Sequence, residues 1–329
     1  MSKLKPKLFT SNENLITLLK ARNMSVRNER RAAKILEQEN YYYLINGYNT
    51  VFLVSKNPED TYRDRTTFFE VLALYKFDQL LREKLLINLL KVEHIIKTRI
   101  IYVFSKYHEH DHTAYLNLDS FNQSGESNKE RATNIIGDMN RLIVSSQKKH
   151  RSISHYMEKH GYVPLWVLSK VMTFGRTNSF YSCLQNRDKQ EIASAFNLNP
   201  RAFKCIIDFL STLRNKCAHG ERIYCHINDI TRSRPILGLP EHRLLKIPTS
   251  RHNRYQYGIE DILALLICLR YFLSPYRYDT LLKEINHALN TKLKKRLKSI
   301  DITVIKNIMG LNCGWFEILR HYKESHTTP

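Results

Sequence analysis

No C-x-x-C pair occurs in the chain. Its six cysteines (183, 205, 217, 225, 268 and 313) are scattered, which excludes a disulfide scaffold and the usual paired-cysteine zinc sites. Glycine and proline are scarce, 10 and 9 in 329 residues, so a sandwich or barrel built on many tight turns is disfavoured. Long apolar runs are missing too. The longest is Ile262 to Cys268, far too short to span a bilayer. No signal peptide opens the chain, and reduced thiols without a leader suggest the cytoplasm. Acidic residues are few: 31 Asp and Glu stand against 52 Lys and Arg, a formal charge of +21. Such an excess repels itself unless a polyanion lies close, so nucleic acid is the expected partner, ahead of an anionic membrane surface. Nothing cationic and amphipathic is pronounced enough to favour the membrane.

What is present is helical spacing. Leu74, Phe77, Leu81, Leu85, Leu89, Val92, Ile96, Ile100 and Val103 recur at steps of three and four. This predicts one helix of 35–40 residues from about Thr66, roughly 55 Å long, and an all-α fold arranged around it. A further helix is predicted over Arg131 to Val144. Another runs from about Arg201 to Ala218, after the break at Asn197 to Pro200. Pro164 fits the first turn of a helix whose Trp166 is expected to be buried. A segment of residues 1–65 precedes the main domain, assigned to 66–329.

The chemistry gathers at the end of the 201–218 helix, in Leu213-Arg214-Asn215-Lys216-Cys217-Ala218-His219-Gly220-Glu221-Arg222. Gly220 suits the left-handed exit of a helix. Arginine binds phosphate oxygens as a rigid fork, and histidine exchanges a proton near neutral pH. Together they suit metal-free cleavage of RNA, in which a base takes the 2′-OH proton and a cation stabilises the attacked phosphate. Five residues at 100° each put the two side chains about 140° apart on an ideal helix. Either the length of the arginine or unwinding near Gly220 would have to bring them together. The bland alternative is a helix-end charge beside a satisfied cap. From Tyr224 to Tyr257 the periodicity is lost, and the segment carries Arg232, Arg234, Arg251 and Arg254, with Tyr255 and Tyr257 nearby. It reads either as a basic lip for RNA or as a variable surface insertion. His108 to His112 and the set Cys217, His219, Cys225 and His226 match no common metal spacing, and no metal or cofactor is expected.

Arg214-Asn215-Lys216-Cys217-Ala218-His219 resembles the R-N-x-x-A-H segment of HEPN ribonucleases, and in particular of the Abi-like (AbiD/AbiF-type) abortive-infection proteins. Further segments resemble the same family in the same order. They are the tyrosine-rich run Tyr41 to Tyr48 with Gly47, Phe77-Asp78 with Leu81-Arg82, Val92-Glu93 with Lys97-Thr98, Pro164 and Trp166 with Phe174-Gly175, and Met309-Gly310 with Trp315. Lys97 stands where the family usually has arginine, and Lys170 where it often has an acid. The resemblance covers about residues 8 to 320. It implies a HEPN-like helical bundle with an N-terminal extension and a basic loop insertion, paired as a homodimer. It further implies an endoribonuclease of phage defence or of a toxin–antitoxin-like system, held in check by a partner, which a small structured RNA would suit. Arg214, Asn215 and His219 would be catalytic. Lys216, Arg222, Arg232, Arg234, Arg251 and Arg254 would hold RNA, with Glu93 and Lys97 beside the catalytic pair. The alternative is an RNA-binding protein without catalysis that scaffolds or sequesters a small structured RNA.

Overall fold

In a computed structural model, the residues described are 9–55, 60–226, 238–252, 254–312 and 314–321. The helices follow in chain order: α1 (Asn12–Ala21), α2 (Glu29–Gln38), α3 (Phe68–Tyr107), α4 (Glu126–Gln147), α5 (Arg151–His160), α6 (Leu165–Leu168) and α7 (Phe174–Cys183). They continue with α8 (Asn186–Ser194), α9 (Pro200–Ala218), α10 (Pro240–Leu244), α11 (Ile262–Arg270), α12 (Pro275–His287), α13 (Ile302–Ile308) and α14 (Trp315–His321). Two short strands, β1 (Leu53–Ser55) and β2 (Thr61–Tyr62), pair antiparallel, and the fold is all-α.

The long helix is α3, 40 residues or about 60 Å. Every residue of the stripe from Leu74 to Val103 named above is buried. Burying each such side chain contributes ~1.5–3 kcal/mol, although the exposed positions of α3 mix Lys76, Glu83, Lys91 and His94 with Ile87, Leu90 and Tyr102.

The chain divides into two compact units. The first takes in Met1–Lys84, Gly220–Cys225 and Asp279–Pro329. In it, Ser11 and Asn28 cap α1 and α2 by accepting the amides of Asn14 and Arg31. The buried Glu70 carboxylate accepts the amides of Lys298 (2.6 Å) and Ser299 (2.7 Å), which ties the distal segment to the start of α3. Tyr41 to Tyr48 splits in two. Leu44, Ile45 and Tyr48 are buried, whereas Tyr42 and Tyr43 stand 67% and 69% exposed around a π-helical turn, Tyr42–Asn46.

The second unit holds Leu85–His219 and His226–Tyr278. Within it α4 packs on α5 and α7, while α7, α8 and α11 all pack on α9. Phe203, Ile206, Ile207, Phe209, Leu210 and Leu213 are the apolar face of α9, each fully buried. All of Ile262–Leu269 in α11 is buried. Asp261 starts that helix, its carboxylate accepting the amides of Ala264 and Gly258.

Trp166 departs from the expectation of burial: it is 44% exposed. The helix α6 is one turn long and buries Leu165, Val167 and Leu168 instead, leaving the indole edge-on to His112 at 5.2 Å. The segment after the 214–222 motif is also more built than a loop. Its described part carries α10, and His242 is fully buried, stacked on Tyr255 with its Nε2 2.7 Å from the Gly258 carbonyl.

Candidate functional site

Helix α9 delivers the motif. Asn199 caps its start by accepting the Ala202 amide, and Pro200 occupies the first turn. The helix stays regular through Ala218, and His219 is its C-cap, its amide donating to the Asn215 carbonyl at 2.9 Å. Gly220 follows at φ +72°, a backbone that a side chain would strain.

Because no unwinding precedes Ala218, Arg214 and His219 keep the helical separation of about 140°. Arg214 turns toward α3 and donates from Nε to Oε2 of Glu93 at 2.9 Å. From Nη1 it donates to the side-chain oxygen of Asn215 at 3.2 Å. Its Nη2 makes no hydrogen bond among the described residues. Glu93 is only 7% exposed, and its Oε1 lies 3.6 Å from Lys97 Nζ. Lys97 donates to the Met172 carbonyl at 2.6 Å. Burial pulls the Lys97 ammonium below the usual lysine range, and Glu93 opposes that pull. Glu93, Lys97, Arg214 and Asn215 therefore form one linked set.

His219 is exposed, and its ring makes no hydrogen bond among the described residues. Lys216 lies 3.2 Å from Nδ1 of His226. His226 is buried, and burial first, then the Lys216 charge, pushes its pKa down to about 4. The imidazole is thus neutral near pH 7 and accepts from Lys216 through Nδ1, which leaves the proton on a buried Nε2 without a partner.

The other expected residues are dispersed. Arg222, in the first unit, donates to the Gly47 carbonyl. Arg254 pairs with Glu260 at 2.7 Å, and Arg251 is exposed in a turn. Arg232 and Arg234 lie outside the described residues. Among the described residues, no group of three or more His, Cys, Asp or Glu could hold a metal ion.

One buried polar arrangement was hidden in the sequence. In the first unit, Asp78 is fully buried and gathers four donors: the hydroxyl of Tyr48 (2.5 Å), the amides of Ile223 (3.2 Å) and Tyr224 (2.8 Å), and the Arg82 guanidinium. Burial pushes its carboxyl above the usual range, against the pull of those donors. Tyr48 also stacks on Tyr224 at 5.7 Å. The tyrosine run and the Asp78–Arg82 pair were visible as separate patterns. Their meeting over the residues just beyond His219 was not.

Fold and site together define an all-α protein with a strongly basic surface and an Arg–His motif closing a helix that is buried on one face. The family model described as Abi-like protein matches residues 34–225, more than half of the chain, so the chain belongs to the Abi-like family. The matched span is narrower than 8–320 but holds Tyr41 to Tyr48, Asp78, Glu93, Trp166 and the Arg–His motif. Membership links the chain to abortive infection, a form of phage defence. No curated protein and no solved structure matches it. Among the described residues, no helix is long and apolar enough to cross a membrane.

Proposed function

We propose that the chain is a metal-independent endoribonuclease of HEPN type, acting in abortive infection or a toxin–antitoxin-like pair and restrained by a partner. One observation carries the reading. Arg214 is gripped through Nε by the buried Glu93, so its Nη2 edge stays open to a phosphate, while an exposed His219 ring closes the same helix. In this reading His219 takes the 2′-OH proton, Arg214 binds the scissile phosphate as its charge grows, and Asn215 orients the guanidinium. The 2′ oxygen bonds to phosphorus as the 5′ oxygen of the next nucleotide leaves, giving a 2′,3′-cyclic phosphate. The separation of Arg214 and His219 on a regular helix favours a homodimer, in which each copy would complement the other's set.

The purified full chain tests this against cellular RNA. Wild type should leave 2′,3′-cyclic phosphate ends and be toxic when expressed. His219→Ala and Arg214→Ala should each lower cleavage by about 10²-fold or more and abolish toxicity, with RNA affinity kept in His219→Ala. If wild type and His219→Ala cleave alike, the nuclease reading fails. RNA binding by both without cleavage would leave a protein that holds a structured RNA.

A further inference from the structure

The second unit carries an open cavity of about 880 Å³ between α4, α7 and the first half of α9. That is the size of a site for a nucleotide-sized group. Five cations and two acids line it. The acids are already matched: Asp138 pairs with Arg141 at 2.7 Å, and Asp208 pairs with Lys204. Arg131, Lys189 and Arg201 remain, and among the described residues none of the three has an ion pair or side-chain hydrogen bond. Arg131 and Arg201 are exposed, whereas Lys189 is half-buried. Burial pulls the Lys189 ammonium below its ordinary range, a pull that an anion at hand would reverse. Asn134, Ser179 and Ser182 supply neutral polar groups on the same walls.

The position of the groove on α9 says what should fill it. Arg201 and His219 are 18 residues apart, which is five turns of an α-helix. They therefore share one face, about 27 Å apart along the axis. Asn215 lies on that face as well, within about 40° of both. Arg201 thus sits on the side of α9 that ends at His219, and Arg131 and Lys189 line the same groove from α4 and α8.

We infer that this groove is a subsite for single-stranded RNA, in which Arg131, Lys189 and Arg201 bind phosphates of nucleotides several positions from the linkage held at His219. The placement of the scissile linkage rests on the nuclease reading. The binding of RNA in the groove does not.

The test uses the full chain in the His219→Ala background, so that binding is read without cleavage. The probe is a fluorescent oligouridylate of about twelve nucleotides, within the span that single-strand-binding folds cover. Arg131→Ala/Arg201→Ala removes two exposed cations. Arg30→Ala/Lys34→Ala, exposed on α2, removes the same charge elsewhere. The groove variant should bind at least 10-fold more weakly, with a salt slope shallower by about 1.4, as two lost phosphate contacts require. Lys189→Met should weaken binding in the same direction. The control should change affinity less than 3-fold. Equal losses from both double variants would overturn the subsite, as would ATP that occupies the groove without displacing the oligouridylate. Melting temperature identifies any variant that fails to fold, and the single Arg201→Glu change, at an exposed position, then carries the comparison. Wild type and His219→Ala are compared for cleavage separately. Equal cleavage ends the nuclease reading and leaves the groove result standing.

Discussion

Replacing Glu93 by glutamine removes the charge that joins Arg214 to Lys97. Both oxygens of Glu93 are engaged, at 2.9 Å and 3.6 Å, and the residue is 7% exposed. Breaking a buried pair by deleting one partner costs ~3–5 kcal/mol. Arg214 keeps 28% of its side chain in water, so it can recover some solvation, and the expected loss is about 1–3 kcal/mol. Lys97 is the more exposed to the change in energy. It loses the interaction that opposed burial, so its ammonium should release its proton more readily. Lys97→Met in the Glu93→Gln chain removes that stranded cation and should return part of the loss. Urea unfolding of the wild type, both single variants and the double variant gives the coupling directly. A coupling of about 1 kcal/mol or more is expected. Additivity within ~0.5 kcal/mol would refute the linked set.

His226 predicts a pH dependence. In the folded chain its imidazole takes up a proton only near about 4, against an ordinary 6.5. Between those values the unfolded chain binds more protons, so stability falls as pH drops through that window, by roughly 3 kcal/mol in total, and is fully retained above it. His226→Asn should lack this component, so its urea midpoint should approach or pass that of wild type between pH 7 and 4; parallel curves would count against the buried neutral imidazole. Asp78→Ala leaves Tyr48, Arg82 and two amides without their acceptor and should cost ~3–5 kcal/mol. The Tyr224 amide should then exchange faster with solvent, and an unchanged exchange rate would show that Asp78 does not hold that segment.

The stripe on α3 was legible because nine apolar residues keep a helical period over 30 positions, a signal no loop imitates. The motif helix was legible from its punctuation, Pro200 at the start and Gly220 past the end. Trp166 was misread because a one-turn helix offers too few residues to fix a face, and Leu165 and Leu168 filled the interior. Glu93 and Lys97 were legible as a pair four apart. That Glu93 would reach Arg214, 121 residues away, depends on packing alone. The groove was beyond reading for the same reason. Arg131, Lys189 and Arg201 belong to three different helices or their edges, and each is unremarkable in its own segment.

The grip of Glu93 on Arg214 has a consequence for how an anion would be met. A free arginine carries about 2 kcal/mol of rotamer entropy, which a ligand must quench on arrival. Here the Nε hydrogen bond freezes most of those rotations when the chain folds, and Asn215 fixes the plane of the fork. An oxyanion reaching Nη2 would find the donor already aimed, so capture would need little further ordering of the side chain.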